Sequence, residues 1–133
     1  MENLDLHAAK AAQAIINGTK GQAATDVENL VTKALGVLQE NGVYAALLYL
    51  YSRSNATEKP IAERTREELL GLTRKLISPG SVPKQAEEAL KILTDEICDN
   101  LDRLLLVKQL WEQTLIYARY GAKARGAAEE AKL

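Results

Sequence analysis

A chain of 133 residues with 47% hydrophobic and 26% charged side chains has the composition of one folded globular unit, which excludes disorder except at the ends. A formal net charge of −1 at pH 7 excludes a uniformly basic polyanion binder, so any cationic surface must be local. The single cysteine, Cys98, excludes an intrachain disulfide, and the longest apolar run, Val43 to Tyr51, is about half of the ~20 residues a membrane helix needs. With no leader pattern at Met1-Glu2-Asn3-Leu4-Asp5, a cytoplasmic protein without a membrane span is expected.

The periodicity predicts six helices and no strand, hence an all-α fold: one domain over 1–133, a bundle with a long central C-terminal helix. Helix one covers Leu4 to Asn17, with Leu4, Ala8, Ala11, Ala12, Ile15 and Ile16 on one face and Asn17-Gly18 as its stop, glycine taking the left-handed conformation. Thr25-Asp26-Val27-Glu28 has the spacing of a capping box and opens helix two, whose apolar face is Val27, Leu30, Val31, Ala34, Leu35 and Leu38. Asn41-Gly42 ends it. Helix three, Val43 to about Ser54, is apolar nearly all round and must be buried on more than one side.

Pro60 belongs in the first turn of helix four, which carries Ile61, Leu69, Leu72, Leu76 and Ile77 inward and Glu63, Arg64, Arg66, Glu67, Arg74 and Lys75 outward. Ser78-Pro79-Gly80-Ser81-Val82-Pro83 breaks the chain before helix five, with Ala86, Ala89, Leu90, Leu93 and Ile97 inward. Helix six covers Leu101 to about Ala124. Leu104, Val107, Trp111, Leu115 and Ala118 line one of its faces and Leu106, Leu110 and Tyr117 another, so it should run through the middle of the bundle. Residues 126–133 are alanine- and charge-rich and are expected to fray.

Catalytic chemistry finds little to use. His7 is the only histidine, which removes His-pair metal sites and most triads and leaves a surface reading for it. Cys98 lacks a neighbouring histidine and fits a buried structural thiol better than a nucleophile. Glu67-Glu68, Glu87-Glu88 and Asp95-Glu96 are adjacent on helices and splay ~100° apart, which suits solvated faces rather than shared acid/base work. No metal, catalytic or cofactor residue is therefore assigned.

The one constellation suited to a ligand is cationic. From Arg103 to Arg125 the residues Arg103, Lys108, Arg119, Lys123 and Arg125 face one acid, Glu112, and Lys108, Glu112, Arg119 and Lys123 share a stripe that should be the solvent face. Such a stripe, joined by Arg53, Arg64, Arg66, Arg74 and Lys75, is compatible with phosphate contact, although such charges are usually just the wet side of a helix. Tyr44, Tyr49, Tyr51, Tyr117 and Tyr120 could stack on bases or anchor the core.

The Leu38-Gln39-Glu40-Asn41-Gly42 stop, the apolar helix ending Ser52-Arg53, and the C-terminal helix ending Ala118-Arg119-Tyr120-Gly121 together resemble a known family. The chain is similar to the small helical subunit of the type III-B CRISPR RNA-targeting (Cmr) effector complex, chiefly over 35–53 and 108–123. It departs where Ile116 stands at the family's tryptophan position, Trp111 comes a turn and a half earlier, and Gln113-Thr114 replaces an aliphatic pair. The resemblance implies a non-catalytic building block in antiviral defence that stacks on copies of itself beside the repeated backbone subunit and lines the groove holding guide and target RNA. The family pattern points to Arg53 and Arg119, and with the basic residues already named RNA contact is expected at Arg53, Arg74, Lys108, Arg119 and Lys123, with no cofactor and no membrane. Equivalent small subunits of type I-A and III-A complexes remain open, as does a helical protein-interaction adaptor that uses exposed tyrosine and leucine and no nucleic acid.

Overall fold

Helix boundaries follow from caps, glycines and a few long-range clamps. The computed structural model describes residues 3–132, and every regular element among them is helical. Helix α1 (Leu4–Gly18) opens on Asn3, whose side chain accepts the Leu6 amide at 3.1 Å. It does not close in the expected way: among the described residues only Gly42 and Gly80 have positive φ, and Gly18 ends the helix in ordinary helical conformation. The Arg64 guanidinium packs against it, where a β-carbon would make that flexible side chain shift. Thr19 closes the turn with its hydroxyl donating to the Ile15 carbonyl at 2.7 Å.

Helix α2 (Ala24–Asn41) starts before the capping-box spacing predicts: Ala23 is the cap, and no side chain bonds the first turn. The reason is tertiary. Arg125, far along the chain, donates to the Thr19 carbonyl at 3.0 Å and to the Gln22 carbonyl, and so fixes where the α1–α2 turn hands over to helix. Gly42, at φ +94°, ends α2 and starts α3 (Val43–Ser52). Asn55 accepts the Glu58 amide at 2.7 Å and prepares α4 (Glu58–Leu76), with Pro60 in its first turn.

Helix α5 (Ala86–Ile92) widens into a π turn over Leu93–Ile97, where Cys98 N–H reaches the Leu93 carbonyl at 2.7 Å. Leu93 and Ile97, at its two ends, are both fully buried. Helix α6 (Leu101–Ala131) opens on Asn100, which accepts the Arg103 amide at 3.1 Å. Its 31 residues span roughly 46 Å. The stretch expected to fray is helical as far as Ala131, while Leu133 lies outside the described residues. Alanine and glutamate favour the helix there, Arg125 pairs with Glu129 at 2.9 Å, and Gly126 backs onto Ala24.

Helix α6 lies between α1 and α2 and also touches α3, α4 and the π turn, as its several apolar faces require. It runs parallel to α1: Asp5 meets Tyr117, and Ile16 sits against Gly121, where a β-carbon would come within 3.0 Å. It runs antiparallel to α2, with Glu28 beside Lys123 and Ala24 beside Gly126. The main core draws on every helix, and Trp111 at its centre donates its indole N–H to the Thr73 hydroxyl of α4 at 2.9 Å. A smaller cluster of Ala8, Ala11, Leu72 and Leu110 joins α1, α4 and α6.

Candidate nucleic-acid interface

Three cation–aromatic groups decorate this scaffold. At the end of α3 the Arg53 guanidinium lies 4.6 Å from the Tyr49 ring centre, donates to Ser52 Oγ and approaches Glu58 to 3.8 Å. Across α3 and α4, Arg66 covers the Tyr51 ring at 4.5 Å. On α6, Arg119 and Lys123 stand 5.8 and 6.0 Å from the ring of Tyr120, which is 59% exposed. Tyr49 and Tyr51 are two residues apart on a helix and leave it on opposite sides, so Arg53 and Arg66 flank the last turn of α3.

Burial raises the Tyr49 and Tyr51 pKa values, an effect partly offset by Arg53 and Arg66 respectively, so both phenols stay protonated at neutral pH. The Tyr49 hydroxyl and Arg119 Nε are buried without a hydrogen-bond partner. Lys108 approaches Glu112, and Lys123 approaches Glu28, each to 3.9 Å. Loose surface pairs of this kind are worth no more than ~1 kcal/mol, so both ammonium groups remain available to a phosphate.

The structure divides the five residues singled out in the sequence. Arg119 and Lys123 are one turn apart around Tyr120, and Lys108 lies on the same side of α6, roughly 16 Å toward its N-terminus. Arg53 belongs to the separate α3 group. Arg74 is largely turned inward. Its side chain is 11% exposed and donates to Ser78 Oγ at 2.7 Å, Glu96 Oε1 at 3.0 Å and the Ser81 carbonyl at 3.1 Å, clamping the α4–α5 loop. A guanidinium with three internal partners acts as a brace, which leaves Arg74 little to offer a phosphate.

Further expectations change. The polar stripe is not the whole solvent face of α6, since Leu101 and Leu105 are also exposed, at 68% and 56%. Extending the helix to Ala131 brings Glu129 and Glu130 onto it, and counting from Leu101 adds Asp102, so its five basic residues face four acids and the local positive excess nearly vanishes. Cys98 is exposed rather than buried, and its thiol pKa is raised by desolvation and by Asp99, the reverse of an activated thiolate. His7 is half-buried on α1. Arg66, one of several arginines on the outer side of α4, gained its significance only from Tyr51, fifteen positions away in the chain.

Among the described residues no three His, Cys, Asp or Glu side chains converge on a metal-sized site, and no helix is long and apolar enough to cross a membrane. No family model, curated protein or solved structure matches the chain.

Proposed function

We propose that this protein is a non-catalytic helical subunit of a cytoplasmic RNA-guided, RNA-targeting complex of the CRISPR type III-B kind, which contributes to assembly and to the groove for guide and target RNA. The observation that carries the reading is the α6 group: an exposed tyrosine flanked by an arginine and a lysine whose pairing is loose. A guide–target duplex is recognised through its backbone and shape, which calls for scattered cations and aromatic edges rather than base-reading motifs. Arg53 with Tyr49 offers a second group of the same chemistry, and the residues that carry the resemblance, Ser52-Arg53 and Ala118-Arg119-Tyr120-Gly121, are the same ones. Lys108, about three turns from Arg119 on the same side of α6, adds a weaker phosphate contact.

The test is target-RNA binding by the assembled complex carrying Arg119→Gln and Lys123→Gln. Loss of two phosphate contacts should weaken binding and flatten the dependence of log K on log salt by roughly two units. Unchanged affinity and slope, with an unchanged circular dichroism spectrum, would remove this face from the groove. The adaptor reading has its own support in Leu101 and Leu105 on α6 and Tyr44 and Leu48 on α3, all exposed. An adaptor would keep its partner in the same variants and lose it in Leu101→Ser/Leu105→Ser.

A further inference from the structure

A cavity of about 440 Å³ opens between the last turn of α3, the middle of α4 and the loop leading into α5. Its walls are chemically sorted. Leu70 and Pro83 are buried and Val82 is 42% exposed, which makes an apolar side. Tyr51, Arg66 and Lys84 make the polar side, with Glu67 as the one acid. Arg66 is braced by the Tyr51 ring at 4.5 Å, and among the described residues no carboxylate comes within ion-pair distance of either Arg66 or Lys84. Two cations without an ion-pair partner, against the single carboxylate of Glu67, at the rim of an apolar slot are matched by an anion that carries a flat apolar body. The volume lies in the range of small-ligand sites.

A guanidinium resting on an aromatic ring has one face left, and guanidinium planes stack on nucleobases as aromatic rings do. We propose that this cavity binds a single nucleotide, its phosphate held by Arg66 and Lys84 and its base lying against Val82, Pro83 and the guanidinium plane. The site belongs to the isolated chain and does not depend on membership of an RNA-guided complex. Its ligand chemistry is common to a free mononucleotide and to an unpaired nucleotide of an RNA strand.

The test is a titration of the isotope-labelled full chain, followed by amide NMR shifts, with uridine and adenosine monophosphates, pentauridylate and inorganic phosphate. Saturable shifts at Arg66, Leu70, Val82 and Lys84 are expected from the mononucleotides, with a Kd of roughly millimolar order. Arg66→Gln and Lys84→Gln should each raise that Kd by about fivefold. Lys84 is an exposed loop residue, so its variant decides the matter if the Arg66 variant disturbs the fold. Tighter binding of pentauridylate than of uridine monophosphate assigns the site to an RNA strand, and equal or weaker binding assigns it to the free nucleotide. The proposal is overturned if these amides do not move, if both variants bind as the wild type does, or if inorganic phosphate alone reproduces the affinity.

Discussion

Replacing Thr73 by valine keeps the shape of the side chain and removes the acceptor for the Trp111 indole N–H, which lies in the core at 0% exposure and 2.9 Å from the hydroxyl. The indole then has no partner. Leaving a buried donor unsatisfied costs about 1–3 kcal/mol, and with an unfolding entropy of about 2.1 cal/mol/K per residue a cost near ~2 kcal/mol lowers Tm by roughly 7 °C. The Thr73 hydroxyl also donates to the Leu69 carbonyl at 2.9 Å, but that carbonyl belongs to a helix turn and loses little. Thermal and urea unfolding of Thr73→Val, Trp111→Phe and the double variant form a cycle that isolates the bond. In the Trp111→Phe background the second substitution should cost less than ~0.5 kcal/mol, because phenylalanine has no N–H to strand. If Thr73→Val costs the same in both backgrounds, the bond between α4 and α6 contributes nothing and the reasoning fails.

Gly42→Ala forces a β-carbon onto a residue at φ +94° and ψ −176°, and should lower stability by about 1–3 kcal/mol in a urea titration. A loss under ~0.3 kcal/mol would mean that the α2–α3 turn relaxes freely. The Glu96 pKa is lowered chiefly by the hydrogen bond from Ser78, then by Arg74 and Arg103, so its folded value lies below its unfolded one. Its stabilising contribution is therefore present above the ordinary glutamate range and lost as pH falls through the folded value. Glu96→Gln should flatten the stability profile below about pH 4 and leave its shape near neutrality unchanged, and identical acid profiles would contradict the clamp. Arg125→Ala removes the donor to the Thr19 and Gln22 carbonyls, and amide hydrogen exchange over residues 19–24 should quicken by about tenfold while α3 and α5 are unaffected.

Local chemistry made most of the fold readable. The inward residues of α2, Val27 through Leu38, are buried as their spacing predicts, and so are Leu93, Ile97, Val107, Trp111 and Leu115. Asn41-Gly42 stops a helix because only glycine takes that backbone conformation without strain. Where the reading missed the start of α2, a distant residue had overridden the local signal. Arg125 sets the start of α2 against the capping-box spacing at Thr25; at Gly18 the difference is local, the turn being closed by the Thr19 hydroxyl with no left-handed residue. The π turn at Leu93–Ile97 leaves no mark in the period of a short apolar helix.

The cationic residues were less readable than the core, because charge in a sequence does not say what already neutralises it. Arg74 and Arg119 look alike on their helices, yet Arg74 is locked to Ser78, Ser81 and Glu96 while Arg119 stands beside an exposed tyrosine. The pairing of Arg66 with Tyr51 depends on how α3 packs on α4, and no spacing rule within one helix could reveal it.

The most direct test of the functional account is affinity purification of the tagged protein from its native host at low salt, with identification of the bound proteins and sequencing of the bound RNA. The account predicts recovery of large partner subunits, among them a repeated backbone subunit, together with short guide RNAs that share a common 5′ tag. Recovery of protein partners without any such RNA would contradict it and leave the exposed leucines and tyrosines of α3 and α6 as the surface that matters.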